Sequence, residues 1–344
     1  MTVRHRKCAA AGTSRRAVLR GLTSAMSASL SALALGGCES VASLDGARAD
    51  ASEVSANRSL LVATTRKAVK GARESPWFKT EQWTMTLARA RLMPPDGGRF
   101  SLTAVGLDDW RLERIEVLGQ SAGVLGQLAS GRDVLIYVHG FNQNFETAVL
   151  DAARLSDSIR FRGETMVFSW PSRGKLFDYG YDRDSAMWSR DALHTMLDAL
   201  LTSPTTGRIH VVAHSVGTML AMEALRQLYA ERGQLAADRM GALVFAAPDI
   251  DLDVFSSSVQ HVGPLARKIT VIAASNDRAL ALSRWMAGGM TRVGEAETAR
   301  LKLLGLRVID ASHEGWGIIN HDLFLSNAQI RQVIRRVVED PAGT

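Results

Sequence analysis

From residue 133 onward, apolar residues come in short blocks, at 134–138, 166–168, 209–213, 242–247, 269–274 and 306–309, three of them holding a single polar residue (His210, Thr270, Arg307). Between most of these blocks the apolar positions are spaced as on one helix face. Leu193, Met196, Leu197 and Leu200 keep the i, i+3, i+4, i+7 pattern, and so do Ile330, Val333, Ile334 and Val337. A strand that is apolar at every position is buried on both faces, and strands of that kind separated by helices predict a mostly parallel sheet covered on each side. The expected fold is therefore α/β, with its core over 133–340. Upstream the pattern weakens. Residues 59–65 predict a first strand, and 84–92 alternates apolar and polar positions as a half-buried strand does. The turns and short apolar runs of 94–121 give no clear element. Residues 58–125 are accordingly read as a strand extension of one domain, 58–344, rather than a fold of their own.

One block ends in a distinctive way. The apolar residues Ile209 to Ala213 run into Ala213-His214-Ser215-Val216-Gly217, after which Met219, Leu220, Met222, Leu225 and Leu228 are spaced as on a helix. A serine between a strand and a helix, with small residues two before and two after it, has the form of a nucleophile elbow, here with Ala213 in the first glycine position. The flanking residues must be small because the turn brings strand and helix backbones almost into contact.

A serine hydroxyl needs a base, usually histidine, held in turn by a carboxylate. In a wound sheet these groups sit in loops at the carboxyl ends of strands, in the chain order serine, acid, histidine. Asp277 follows the 269–274 block, and His321 lies between the 306–309 block and the last helix. Asp249, Asp251 and Asp253 are rivals for the acid, although a helix cap and a solvated turn account for them better. His313 is the rival base. His194, His210, His214 and His261 read as structural, and no histidine pair has the spacing of a zinc site, so no metal is expected. The backbone amide of Val216, directly after the serine, is one candidate donor to an oxyanion. The second is the amide of Phe141, in the loop Val138-His139-Gly140-Phe141-Asn142 after the early strand. Trp170, Tyr179 and Tyr181, with Phe177, are candidates for lining a substrate pocket or simply for packing a long loop. Gly288, Gly289 and Gly294 mark a candidate mobile flap.

Composition changes this picture in one respect. The formal charge is +6, but residues 1–37 hold six of the 41 lysines and arginines and no acid, so the remaining 35 bases balance the 35 acids. The basic excess is local and gives no support to nucleic-acid binding. Half of it, Arg15, Arg16 and Arg20, sits in Ser14-Arg15-Arg16-Ala17-Val18-Leu19-Arg20, which resembles a twin-arginine export signal. A serine-rich, mildly apolar run follows, too short and polar for a permanent span. It ends in Leu35-Gly36-Gly37-Cys38, which resembles a bacterial lipobox; cleavage further on, after Ala49, is the alternative. The expected organisation is a signal peptide at 1–37, lipidation on Cys38, a flexible tether at 38–57 and then the domain. Its expected location is periplasmic or cell-surface, anchored to membrane by lipid. With only Cys8 and Cys38 in the chain, no disulfide is expected in the mature domain. No glycine-rich phosphate loop follows a strand, and no cofactor is expected.

Taken together, the segments resemble the bacterial α/β-hydrolases of the esterase/lipase-like family catalogued as domain of unknown function 900. They are Leu61-Val62-Ala63-Thr64-Thr65-Arg66, the 138–142 loop, Phe168-Ser169-Trp170-Pro171-Ser172, Tyr181-Asp182-Arg183-Asp184-Ser185-Ala186, the elbow, Ala247-Pro248-Asp249-Ile250-Asp251, Ser275-Asn276-Asp277 and the His321 segment. The resemblance implies a Ser-Asp-His hydrolase of carboxylic esters, acting on a small-molecule or lipid ester, and leaves the substrate open. An envelope acyltransferase or thioesterase with the same triad is an alternative, as is a non-catalytic scaffold.

Overall fold

In the computed structural model, the described residues are 59–94, 110–175, 178–286, 289–296, 298–313 and 323–341. The expected signal at 1–37, Cys38 and the expected tether lie outside them, as do Phe177, Gly288 and His321.

The strands form one nine-stranded sheet: β1 (Ser59–Ala68), β2 (Phe78–Met93), β3 (Arg111–Gly119), β4 (Val134–Val138), β5 (Glu164–Ser169), β6 (Ile209–His214), β7 (Met240–Ala246), β8 (Ile269–Ala273) and β9 (Arg307–Asp310), in the order β3-β2-β1-β5-β4-β6-β7-β8-β9. From β1 to β9 every neighbouring pair is parallel. The pairs β1–β2 and β2–β3 are antiparallel. The expected extension thus enters the main sheet directly, with β1 beside β5, and 94–121 contains an edge strand that the sequence pattern did not reveal.

The helices are α1 (Leu125–Leu128), α2 (Phe145–Ser158), α3 (Tyr179–Trp188), α4 (Arg190–Thr202), α5 (Val216–Arg232), α6 (Gln234–Arg239), α7 (Leu252–Gln260), α8 (Arg278–Met286), α9 (Thr298–Lys302), α10 (Leu323–Ser326) and α11 (Ala328–Glu339). Two apolar cores lie on opposite faces of the sheet. Val134, Ile136 and Val138 of β4 join α4 and α5 in one, while Leu135 and Tyr137 join α2 and α11 in the other. This is the two-residue alternation of a strand buried on both sides. No described helix is long and apolar enough to cross a membrane.

The strand order places the site. From β4 the chain moves outward to β5, then returns to β6 on β4's other side. The loops after β4 and β6 therefore diverge from adjacent strands, which makes a crevice at the carboxyl ends. Their register pairs Val138 with Ala213, so the Gly140 and Ser215 turns emerge side by side.

Candidate active site

Ser215 sits at the tight turn between β6 and α5 with φ 51° and ψ −123°. A non-glycine residue in that region is strained by about 1–3 kcal/mol, a cost borne where geometry is functional. The turn is held from both sides. The Ser215 N–H donates to the Ala246 carbonyl at 3.0 Å, and the Thr218 hydroxyl donates to the Ser215 carbonyl at 2.6 Å. Gly217 is required by contact: a Cβ there would lie 2.3 Å from the His139 carbonyl oxygen. At Gly140 a Cβ would lie 2.9 Å from both Ser215 Cβ and His214 Nδ1. The Phe141 amide thus follows a backbone that touches the Ser215 turn. Val216 opens α5, where the first amides have no acceptor within the helix.

The loop bearing Phe141 is fixed by polar groups from β1, the loop after β5 and α3. Arg66, at the end of β1, is 1% exposed. Its Nε donates to Ser169 Oγ at 3.0 Å, and its terminal nitrogens donate to the carbonyls of Gln143 (2.7 Å) and Ser172 (3.4 Å). Burial pushes this guanidinium down to about 10, against the pull of Glu146 and Asp182, so it stays charged at neutral pH. Asp182 on α3 accepts from the Ser172 hydroxyl (2.5 Å) and the Arg173 amide (2.8 Å), and Ser172 Oγ accepts from the Asn142 amide at 3.1 Å. Asn142 is held at φ 60°. One chain of polar contacts therefore runs from β1 through the β5 loop to the residue after Phe141.

His139 and Trp170 lock the other side of this loop. Their rings stack at 4.8 Å, Trp170 Nε1 donates to the His139 carbonyl at 2.8 Å, and the Trp170 amide donates to His139 Nε2 at 3.1 Å. Trp170 is 0% exposed, so it supports the turn from beneath and lines no open surface. Burial, helped by the Arg66 charge, pushes His139 down to about 3. His210 at the opposite end of the sheet is pushed down to about 4, again chiefly by burial. Tyr179 is buried, whereas Tyr181 is half-buried and lies under the Arg173 guanidinium at 3.5 Å.

These two imidazoles make stability pH-dependent. Because their folded values lie below the ordinary 6.5, the unfolded chain binds more protons, and stability falls as pH falls below about 6.5. Burial raises Asp157, Glu164 and Glu295, which acts in the opposite sense. The imidazoles dominate because only their ordinary value lies near this range. The urea midpoint is expected to be lower at pH 5 than at pH 7.5; an equal or higher midpoint at pH 5 would contradict it.

Asp277 is 1% exposed in the loop after β8, and its Oδ1 accepts the amides of Ala279 (2.9 Å) and Leu280 (3.1 Å), capping α8. The rival acids separate. Asp251 caps α7 through the amides of Asp253 and Val254, and Asp253 is exposed. Asp249 differs from its expected place on a solvated turn: it is 2% exposed, and both carboxylate oxygens accept hydrogen bonds. His313 is exposed beside Asp310, which its charge helps to lower. The described part of the expected flap is a fixed strap. Val293 N–H donates to the Ile250 carbonyl, Gly294 N–H to Pro248, and Ala274 N–H to Gly294, all at 2.8–2.9 Å.

A family model described as "Alpha/beta hydrolase of unknown function (DUF900)" matches residues 124–337. The chain belongs to this family. Among curated proteins, an uncharacterized protein of Nostoc sp., alr1448, is 28% identical over 122 residues, covering 28% of this chain and 32% of that protein. The chain thus spans about a third of that relative's length. Among solved structures, an esterase of Pyrobaculum calidifontis aligns at 14% identity and TM-score 0.39, covering 83% of this chain and 87% of the esterase. Est1E from Butyrivibrio proteoclasticus aligns at 10% identity and TM-score 0.39, covering 75% and 96%. The fold assignment rests on the family match and on the sheet itself.

Proposed function

We propose that this α/β-hydrolase cleaves carboxylic esters by way of an acyl-enzyme on Ser215. His321 takes the hydroxyl proton as Ser215 attacks, Asp277 orients the imidazole and stabilises its charge, and the amides of Phe141 and Val216 receive the oxyanion. The ester C–O bond then breaks, and the alcohol leaves with the proton that His321 had taken; water attacks the acyl group with His321 again as base, and the carboxylic acid departs as His321 returns the proton to Ser215.

The observation that carries this reading is the tethering of the His321 segment at both ends. Before it, Ser312 Oγ accepts from the Ser275 amide at 2.9 Å, and Asn276 Nδ2 donates to the Ser312 carbonyl at 2.8 Å, next to Asp277. After it, Phe324 packs on His214, the neighbour of Ser215, with ring centroids 4.7 Å apart. Three residues separate 321 from 324, a reach of at most about 11 Å. The segment thus departs beside the proposed acid and returns beside the proposed nucleophile.

The test is a fluorophosphonate probe, which labels a serine only where it is activated; the expected adduct lies on Ser215. A folded protein that takes no label would defeat the reading. Products formed with water and with added alcohol separate hydrolysis from acyl transfer.

We further propose export by the twin-arginine route and a lipid anchor on Cys38, supported by the sequence of 14–38 alone. Several acyl chains at about 0.8 kcal/mol per buried methylene hold a protein firmly to a bilayer. Cys38→Ser is expected to move the protein from the membrane pellet to the high-salt supernatant; retention in the pellet would rule the anchor out.

A further inference from the structure

Beneath the Ser215 turn is a buried polar knot that the proposed reaction steps leave unused. Asp249 is its centre. Its Oδ2 accepts from the Tyr179 phenol at 2.5 Å, and its Oδ1 accepts from the Ser283 hydroxyl at 2.7 Å. The Nε of Arg292 stands 3.1 Å from the same Oδ1. The Tyr179 and Ser283 oxygens are themselves 2.7 Å apart. Arg292 is 0% exposed. Both oxygens of Asp249 are thus committed to buried partners on other elements.

Each member belongs to a different element, and each leads to a different part of the proposed machinery. The backbone N–H of Asp249 donates to the Ser215 carbonyl at 3.3 Å, tying the knot to the nucleophile's turn. Ser283 lies on α8, the helix that Asp277 caps. The Tyr179 ring meets the Phe141 ring edge-on at 5.5 Å, on the oxyanion loop. Arg292 belongs to the strap whose backbone bonds join the β7 loop to Ala274 after β8. The strap cannot shift aside freely, because a Cβ at Gly294 would lie 2.9 Å from the Ala247 carbonyl carbon and 3.0 Å from the Pro248 nitrogen.

Energetics argue that this knot serves position rather than stability. A buried ion pair recovers little over well-packed apolar groups, since desolvation consumes most of the Coulomb gain. Charge-assisted hydrogen bonds are short and directional, so they fix geometry where apolar packing would tolerate displacement. Burial, with the Asp249 charge, pushes the Tyr179 phenol up to about 12. The phenol therefore remains a donor at any pH where an imidazole base would work.

We infer that Asp249 is a positioning residue which, through Tyr179, Ser283 and Arg292, holds the Ser215 turn, the Asp277 helix and the Phe141 loop in one register. This rests on the serine-hydrolase reading. Tyr179→Phe keeps the ring on Phe141 and removes the phenol's bonds to Asp249 and Ser283, and Ser283→Ala removes the bond to the other carboxylate oxygen; neither removes the Asp249–Arg292 charge pair. With a p-nitrophenyl ester, kcat is expected to fall about tenfold or more in Tyr179→Phe, since small misplacements of reacting groups cost this much. KM is expected to stay within about twofold, the mark of an interaction felt in the transition state. The fraction of molecules titrated by fluorophosphonate should stay at the wild-type level. Wild-type kcat in both variants would overturn the inference, as would a fall in kcat matched by an equal fall in titratable enzyme. If Tyr179→Phe does not fold, Ser283→Ala alone decides. A wild type that neither turns over ester nor takes label defeats the hydrolase reading itself, whereas an active wild type with indifferent variants defeats only the positioning role.

Discussion

Ser215→Ala is expected to give a folded protein that neither hydrolyses esters nor takes the fluorophosphonate label. The Oγ is the only atom removed, and the Cβ remains packed 2.9 Å from where a side chain at Gly140 would begin. The strain of φ 51° and ψ −123° stays with alanine, so the unfolding midpoint should barely move. Activity should not survive so well. Removing the nucleophile of a serine hydrolase costs on the order of 10⁶ in kcat, and what remains comes from binding and oxyanion stabilisation. Steady-state kinetics and intact-mass labelling would measure both. Activity persisting above about a hundredth of wild type would mean that another residue attacks the substrate.

The sheet was legible where strands are buried on both faces. The 134–138 block is β4 to the residue, and β6, β7, β8 and β9 start or end within two residues of their blocks. The doubly buried strands announce themselves because nearly every position is apolar, with buried exceptions such as His210 and Thr270; β9 is only partly buried and was legible from Leu306, Val308 and Ile309 alone. The edge strand β3 was not legible, because Arg111, Glu113, Arg114, Glu116, Val117 and Leu118 are all exposed and impose no alternation. Polar burial was the other blind spot. Arg66 finds its partners 77 to 106 residues away, and Asp249 meets Tyr179 at a separation of 70. Nothing local distinguishes Asp249 from Asp251, two positions on, which does cap a helix. A hint was present in the quoted segments, however. The Thr64, Arg66, Ser169, Ser172 and Asp182 positions are polar residues beside apolar ones, and they prove to be linked partners. Polar residues at the carboxyl ends of several blocks are a signal for a shared buried network.

The choice between His321 and His313 as base has the second-largest consequence. His321→Ala is expected to lower kcat by about 10³–10⁶ and to slow fluorophosphonate labelling, because a serine without its base retains only the catalysis of its surroundings. His313→Ala is expected to stay within about twofold of wild type. The difference follows from how the chain is pinned. His313 is exposed, one residue past Ser312, whose hydroxyl and carbonyl are already committed to Ser275 and Asn276. From there an imidazole is held on the acid's side of the crevice. Phe324 is 1% exposed and stacks between Tyr137 at 6.0 Å and His214 at 4.7 Å. The proposal that the base is three residues before it rests on this anchor beside His214, with Ser312 held next to Asp277 at the other end. If His313→Ala proved the damaging substitution, the base would have to come from the near end of the segment. The Phe324 anchor would then be packing alone.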